Sequence, residues 1–320
     1  MVREVIRDRG PSRNTLRSVR LPSLLRGIFA FALVSVAVAN SSGQSAIIGG
    51  VRRVNDLTYA EVDGHQLRLD LYLPVEAEEP PLVVWIHGGA WRRGSRAGMP
   101  LADLVQSGFA VASIDYRLSP VAQFPAQIHD CKAAIRFLRG SARKLGYDAE
   151  QIGVAGSSAG GHLAALVGVT NNHPLLEGNV GSHLDQSSSV QAIVDFYGPT
   201  NFMTILQQST PHGLSVRVPA LKLLLGDVPD AKVELARLAS PVFHVDGDDP
   251  PLLLIHGDQD PQVPINQSHE LHGKYAEQSL PAELEVVHGG AHGGELFFDA
   301  TRNDRVRDFF ARHLRGVPGK

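Results

Sequence analysis

The feature that most constrains the fold is an alternation of short apolar runs with helix-forming stretches along most of the chain. The runs are apolar throughout rather than at every second residue, which is typical of parallel strands covered on both faces. They lie at residues 82–86, 109–114, 152–155, 190–196, 252–255 and 284–287, and helical patterns lie at 99–106, 127–139, 161–169, 266–276 and 301–314. Strands alternating with helices predict a doubly wound α/β fold, with a mostly parallel sheet and helices on both of its faces.

An antiparallel hairpin is predicted ahead of these strands. Residues 58–62 and 65–73 read as two strands, and Asp63-Gly64 between them is a strong two-residue turn signal. With this hairpin the central sheet has about eight strands. We expect residues 40–56 to form a linker and residues 57–316 to form the domain.

Two stretches interrupt the alternation, a polar one at residues 171–189 and a longer insertion at residues 200–249. Residues 200–249 precede the strand at 252–255 and contain an apolar stretch at 218–225 and a short helical pattern at 231–238. An insertion of this length predicts a small cap over the site, although a surface excursion without a role in binding is the alternative.

The first 39 residues have the pattern of a secretory signal peptide. Seven arginines against two acidic residues give residues 1–26 a net charge of +5, and a short apolar run then ends at Ala37-Val38-Ala39. The pattern predicts a secreted or periplasmic protein without stable membrane insertion after cleavage. An uncleaved membrane anchor is the alternative, but the run is shorter than the roughly 20 residues that a spanning helix needs.

Composition narrows the class of partner. The chain has 320 residues, of which 43% are hydrophobic and 20% charged, as in ordinary soluble domains. The formal net charge of −3 leaves −8 once the +5 of residues 1–26 is set aside, and nucleic-acid binding needs a basic face instead. The single cysteine, Cys131, excludes an intrachain disulfide and reads as a buried apolar residue.

Four polar motifs follow predicted strands directly. Ligands of open α/β sheets bind beyond the carboxyl ends of the strands, so these motifs are expected to meet at one edge. They are residues 87–91 (His-Gly-Gly-Ala-Trp), 156–160 (Gly-Ser-Ser-Ala-Gly), 256–264 and 288–294. In chain order they supply an oxyanion loop, a serine, an aspartate and a histidine, one of the orders in which acyl-transfer sites are known to occur.

Each motif offers a residue suited to acyl transfer. Ser158 is the middle residue of G-x-S-x-G between a strand and a helix, where a tight turn presents a nucleophile. Its hydroxyl needs a base, and His292 is proposed for that role because imidazole titrates near neutrality. Asp260 is proposed to orient His292 and to stabilise its imidazolium form.

Backbone N–H groups are expected to form an oxyanion hole. The donors are those of Gly89, Ala90 and Ala159, and the small Gly88 and Gly89 allow the loop to approach the substrate closely. Trp91 and, in the insertion, Phe202 and Leu206 are candidates to line the substrate pocket, with core packing as the alternative for each.

Other assignments stay open from the residues alone. Ser157 competes with Ser158, Asp258 with Asp260, and His288 with His292. A metal pair formed by His288 and His292 is disfavoured because the glycines between them argue against a helix that would place both on one face. No metal or cofactor is expected.

The motifs together resemble the α/β-hydrolase superfamily. Within it, the chain is similar to the hormone-sensitive-lipase-like esterases and more closely to their acetyl-xylan/feruloyl esterase relatives. The resemblance spans roughly residues 60–315 and rests on the four motifs and on residues 115–120 (Asp-Tyr-Arg-Leu-Ser-Pro), 124–127 and 130–133. The family pattern makes the fifth residue of His-Gly-x-x-Asp the acid, here Asp260, and the histidine before a C-terminal glycine the base, here His292.

The resemblance implies a serine carboxylic-ester hydrolase that acts through an acyl-enzyme. Its substrates would be short-chain acyl esters, including acetyl or feruloyl groups on polysaccharide. Ala90 stands where many lipase-like relatives have a third glycine, so bulky tertiary-alcohol esters are less suitable. The alternatives are a serine exopeptidase of the α/β-hydrolase type and a catalytically silent binding protein; the oligomeric state is not predicted.

Overall fold

A nine-stranded sheet forms the centre of the computed structural model, which describes residues 44–315. All of these residues belong to one compact unit. The strands in chain order are β1 Gln44–Ile48, β2 Val51–Val62, β3 His65–Pro74, β4 Pro81–Ile86, β5 Ala110–Ile114, β6 Asp148–Ser157, β7 Ala192–Phe196, β8 Leu252–Gly257 and β9 Ala282–Val287.

The strand order across the sheet is β1-β2-β3-β5-β4-β6-β7-β8-β9. The pairs β1–β2, β2–β3 and β3–β5 are antiparallel, and every later neighbouring pair is parallel. The predicted fold class is therefore confirmed: a mostly parallel sheet with an N-terminal antiparallel hairpin.

Helices cover both faces of the sheet. They are α1 Ala102–Gln106, α2 Ala126–Leu145, α3 Ala159–Gly168, α4 Ile205–Gln208, α5 Pro211–Leu225, α6 Val233–Leu238, α7 Asn266–Glu277 and α8 Ala300–Leu314. Alternate residues of β4 belong to different cores: Val84 packs in the core that holds α2 and α3, and Val83 in the core that holds α1 and α8. This double burial explains why the central strands are apolar at every position.

The expected linker is wrong from residue 44 onward. Strand β1 pairs with the beginning of β2 across a turn at Gly49 and Gly50, which adds a ninth strand at the sheet edge. Ile47 and Ile48 are exposed. An edge strand with solvated side chains has no burial pattern to detect, which is why the sequence reading missed it.

The insertion between β7 and β8 carries α4, α5 and α6, with 3₁₀ turns at Pro229–Ala231 and Pro241–Phe243. The beginning of α5 lies against the loop after β8, since Thr210 Oγ1 donates to the carbonyl of Pro261 at 3.1 Å. The insertion therefore contacts the carboxyl edge of the sheet, where the polar motifs lie.

The predicted signal peptide at residues 1–39 and the predicted domain end at residue 316 lie outside the described residues. Within residues 44–315, the longest helices are too short or too polar to cross a bilayer.

Candidate active site

Ser158 lies at a sharp turn between β6 and α3. Its backbone has φ of +54° and ψ of −117°, a conformation that costs a non-glycine residue energy and is concentrated at functional sites. The turn is held by two hydrogen bonds: the Ser158 N–H donates to Phe196 O at 2.8 Å, and the Ser158 carbonyl accepts from His162 N–H at 2.9 Å. A Cβ at Gly160 would lie 1.9 Å from Ile86 O, so only glycine fits there.

A continuous hydrogen-bond chain connects the three predicted catalytic side chains. Ser158 Oγ lies 2.8 Å from His292 Nε2, and His292 Nδ1 lies 2.7 Å from Asp260 Oδ2. Because an ionised carboxylate can only accept, Nδ1 carries the proton and Nε2 is left to accept from the serine hydroxyl. The arrangement can therefore remove a proton from Ser158 during nucleophilic attack.

The environment of Asp260 keeps its carboxylate ionised. Oδ1 accepts the backbone N–H groups of Gln262 at 2.8 Å and Val263 at 2.9 Å, and the side chain is fully buried. Burial alone would raise the pKa of Asp260, but the hydrogen bonds from His256, His292 and Val263 together hold that pKa well below its usual range.

His256 is a supporting residue to which the sequence analysis assigned no role; it served there only as the first residue of the His-Gly-x-x-Asp motif that identifies Asp260. Its Nε2–H donates to Val263 O at 2.9 Å and lies 3.4 Å from Asp260 Oδ2, while Nδ1 accepts from Ser268 Oγ at 2.7 Å. The imidazole therefore holds the acid loop in shape. The His-Gly-x-x-Asp spacing was the signal that could have indicated this role.

The competing residues lie apart from the hydrogen-bond chain. Asp258 and His288 pair with each other at 2.9 Å, and His288 is exposed. Ser157 is the last residue of β6, in register with Phe196, and it makes no hydrogen bond to His292. Across the described part of the chain, no three His, Cys, Asp or Glu side chains come together in a way that could hold a metal ion.

The predicted oxyanion loop follows β4, the neighbour of β6. Gly89, Ala90 and Trp91 all have positive φ, and a Cβ at Gly88 would lie 2.7 Å from Ser157 O. The N–H groups of Gly89 and Ala90 donate to no acceptor among residues 44–315. They are thus available for a bound oxyanion.

Ala159 completes the donor set, and Tyr116 supports the oxyanion loop. Ala159 is the first residue of α3, where the N–H has no partner within the helix and the helix dipole favours negative charge. Tyr116, missed as a supporting residue, donates its hydroxyl to His87 O at 3.1 Å and stacks on the His87 ring at 4.5 Å. These two contacts hold His87, the first residue of the oxyanion loop, in place. The Asp-Tyr-Arg motif at residues 115–117 was the sequence feature that could have indicated this role.

The comparison with protein families agrees with this geometry. Residues 69–275 match the family model described as BD-FAE. The chain belongs to the BD-FAE family. The chain is similar to Esterase LipC of Mycobacterium tuberculosis, with 35% identity over 242 residues that make up 74% of this chain and 58% of LipC. Probable carboxylic ester hydrolase LipM of the same organism is 30% identical over 67% of this chain and 49% of LipM.

This BD-FAE chain spans about half the length of the curated relatives it matches. A solved truncated form of a carbohydrate esterase from gut microbiota aligns with a TM-score of 0.74 and 33% identity, over 87% of this chain and 99% of that chain. A bifunctional GH43-CE protein of Bacteroides eggerthii aligns with a TM-score of 0.74 and 37% identity, over 82% of this chain and 35% of that chain. The protein has the α/β-hydrolase fold.

Two of the three predicted pocket residues are instead core residues of this BD-FAE chain. Trp91 and Phe202 are almost completely buried. Trp91 Nε1–H donates to His162 Nδ1 at 3.1 Å, and Phe202 stacks on the His162 ring at 4.8 Å. They join the oxyanion loop, α3 and the insertion. Leu206 is half-buried against the same core.

Tyr197 is a site residue that the sequence reading missed. It follows β7, has φ of +45°, and packs its ring edge-to-face on His292 with 4.9 Å between centroids. Burial raises the pKa of Tyr197 to about 12, so its hydroxyl stays neutral. An aromatic residue immediately after a buried strand was the available signal.

Proposed function

We propose that the protein is a serine carboxylic-ester hydrolase that acts through an acyl-enzyme on Ser158. The observation that carries this proposal is the hydrogen-bond chain Ser158–His292–Asp260 beside three unused backbone donors. The names of the relatives, an esterase and a carboxylic ester hydrolase, support the same chemistry.

The geometry accounts for each step of such a reaction. As Ser158 Oγ attacks the ester carbonyl, His292 Nε2 takes its proton and Asp260 stabilises the resulting imidazolium. The imidazolium then protonates the departing alcohol, which leaves an acyl group on Ser158. A water molecule, deprotonated by His292, attacks the acyl carbon and releases the acid.

The oxyanion of each tetrahedral intermediate would lie against the N–H groups of Gly89, Ala90 and Ala159. Removing one such donor typically raises the barrier by about 3–4 kcal/mol. These groups are already oriented by the strained loop and the helix terminus, so no reorganisation is needed as charge develops.

The proposed substrates are short-chain acyl esters, including acetyl or feruloyl groups on polysaccharide. Support comes from the sequence motifs and from the similar solved structures, a carbohydrate esterase from gut microbiota and a bifunctional GH43-CE protein.

We also propose that the protein is exported, because residues 1–39 have the pattern of a signal peptide. N-terminal sequencing of protein recovered outside the cytoplasm, beginning near residue 40, would support cleavage.

The proposed nucleophile is tested with an ester panel and two serine variants. The panel runs from p-nitrophenyl acetate to the octanoate, with methyl ferulate, acetylated xylan and an aminoacyl p-nitroanilide. Ser158→Ala is expected to lower kcat at least about 10³-fold and to abolish labelling by a fluorophosphonate, because no other hydroxyl among residues 44–315 is hydrogen-bonded to His292.

Ser157→Ala is the matched control and is expected to retain activity within a few-fold. Full activity of Ser158→Ala would contradict the proposed nucleophile. Faster turnover of the anilide than of any ester would favour an exopeptidase, and absence of both turnover and labelling would favour a binding protein.

A further inference from the structure

Arg217 is a buried cation without a counter-ion in the described structure. It lies in the middle of α5, and only 1% of its surface is exposed. Its Nε and Nη1 atoms contact no hydrogen-bond acceptor among residues 44–315. Buried charges are normally paired, because losing hydration without a partner is costly.

The helix that carries Arg217 begins at the acid loop. Thr210 caps the helix and donates its hydroxyl to Pro261 O at 3.1 Å, and a Cβ at Gly213 would lie 3.1 Å from the same carbonyl. Arg217 follows Gly213 by about one turn. Its guanidinium therefore lies near the loop that holds Asp260.

Arg217 also lies beside Trp91, the residue that ends the oxyanion loop. The guanidinium carbon lies 5.9 Å from the centre of the Trp91 ring, and Trp91 directly follows the predicted oxyanion donors of Gly89 and Ala90. Arg217 thus lies beside Trp91 at the end of the oxyanion loop and within the electrostatic influence of Asp260 in the acid loop.

Among residues 44–315, Arg217 forms no ion pair with a carboxylate. The acid that influences it, Asp260, already accepts from His292 and two backbone N–H groups. Burial lowers the pKa of Arg217 to about 10, with Arg92 adding to the lowering and Asp260 opposing it. The side chain is therefore still cationic at neutral pH.

We propose that Arg217 is a specificity-determining residue that binds a carboxylate on the ester substrate. A guanidinium presents a planar fork of donors that matches a carboxylate, and such a pair would satisfy the donors that the protein leaves unused. The carboxylate belongs to the acyl part or to the alcohol part of the ester. This inference rests on the proposed ester hydrolysis.

Two pairs of esters distinguish the acyl part from the alcohol part. In the acyl arm, p-nitrophenyl hemi-adipate is compared with p-nitrophenyl hexanoate. In the alcohol arm, 4-carboxyphenyl acetate is compared with 4-carbamoylphenyl acetate, which has the same shape and no charge. The wild type is expected to show at least tenfold higher kcat/KM for the anionic ester in one arm, and that arm identifies the source of the carboxylate.

Two variants test whether Arg217 causes the preference. Arg217→Met keeps an unbranched buried side chain without donors and is expected to reduce kcat/KM for the preferred anionic ester about 10- to 100-fold, with neutral esters changed less than threefold. Arg217→Lys keeps the charge without the fork and should reduce the preference about tenfold. Arg237→Met, an exposed arginine of the same insertion, is the control and should leave the preference unchanged.

The outcomes separate this inference from the proposed function. Hydrolysis of neutral esters without a preference for an anionic ester in either arm would overturn the role of Arg217 and leave ester hydrolysis intact. An equal loss on anionic and neutral esters in both Arg217 variants would overturn it as well. If neither charged nor neutral esters are hydrolysed, the proposed function is wrong and the inference fails with it. If Arg217→Met does not fold, the wild-type preference and Arg217→Lys decide the question.

Discussion

Replacing Asp260 by asparagine is expected to reverse the proton positions on His292. The backbone N–H groups of Gln262 and Val263 both donate to Oδ1, so the amide oxygen of the asparagine must take that position. The amide N–H₂ then occupies the position of Oδ2, 2.7 Å from His292 Nδ1. Since this group donates, Nδ1 must accept, and the ring proton moves to Nε2.

The reversed imidazole can no longer accept a proton from Ser158. Loss of a base through the wrong tautomer typically costs about 10³- to 10⁴-fold in kcat, which corresponds to about 4–5 kcal/mol of activation free energy. The new amide N–H₂ would also face the Nε2–H of His256, 3.4 Å away. We expect this donor–donor contact to lower the free energy of unfolding by about 1–2 kcal/mol.

The assay is steady-state hydrolysis of p-nitrophenyl acetate from pH 6 to 9, with thermal unfolding of the same samples. Asp258→Asn is the matched control, because Asp258 pairs with the exposed His288 and the Gly289 N–H and lies outside the hydrogen-bond chain Ser158–His292–Asp260. It should retain kcat within about twofold. A loss below tenfold in Asp260→Asn, with the variant folded, would refute the reasoning about the tautomer.

Two further changes test the oxyanion loop and a buried carboxyl. Gly88→Ala should lower kcat at least about 10²-fold, because its Cβ would lie 2.7 Å from Ser157 O and displace the loop, whereas Gly247→Ala meets nothing within 4 Å and should keep full activity. Equal activity of both variants would contradict the predicted loop. Burial raises the pKa of Asp195 to about 7 in the folded protein, whereas an aspartate in an unfolded chain has a pKa near 3.9. The contribution of this carboxyl group to the free energy of unfolding therefore falls as the pH rises from the lower value to the higher one. Asp195→Asn cannot ionise and should therefore gain stability relative to wild type from pH 4.5 to 8, by at most about 4 kcal/mol in denaturant unfolding; a difference that does not change with pH would disprove this.

The central strands and most helices could be predicted closely because their signals are local. The run at 82–86 becomes Pro81–Ile86, and the helical pattern at 266–276 becomes Asn266–Glu277. A strand buried on both faces must be apolar at every residue, and an amphipathic helix repeats every 3.6 residues, so each pattern is readable without knowing its neighbours.

The elements that were missed lack such a local signal. Strand β1 pairs at the sheet edge with exposed side chains, so no alternation marks it. Helix α5 was not predicted: its second half, residues 218–225, was read only as an apolar stretch, and the helix contains Pro219 in its interior. Proline normally argues against a helix, but packing of the insertion on the acid loop overrides that preference.

The sequence by itself determined the sheet architecture and the chain order of the oxyanion loop, serine, acid and base. Only the tertiary structure decided that Asp260 rather than Asp258 meets His292, that Trp91 packs in the core, and that Arg217 lies buried and unpaired beside the site. The physical reason is the distance along the chain over which each interaction acts. Periodicity and turn chemistry act over a few residues, whereas hydrogen bonds between side chains more than thirty residues apart depend on how strands, loops and the insertion pack together.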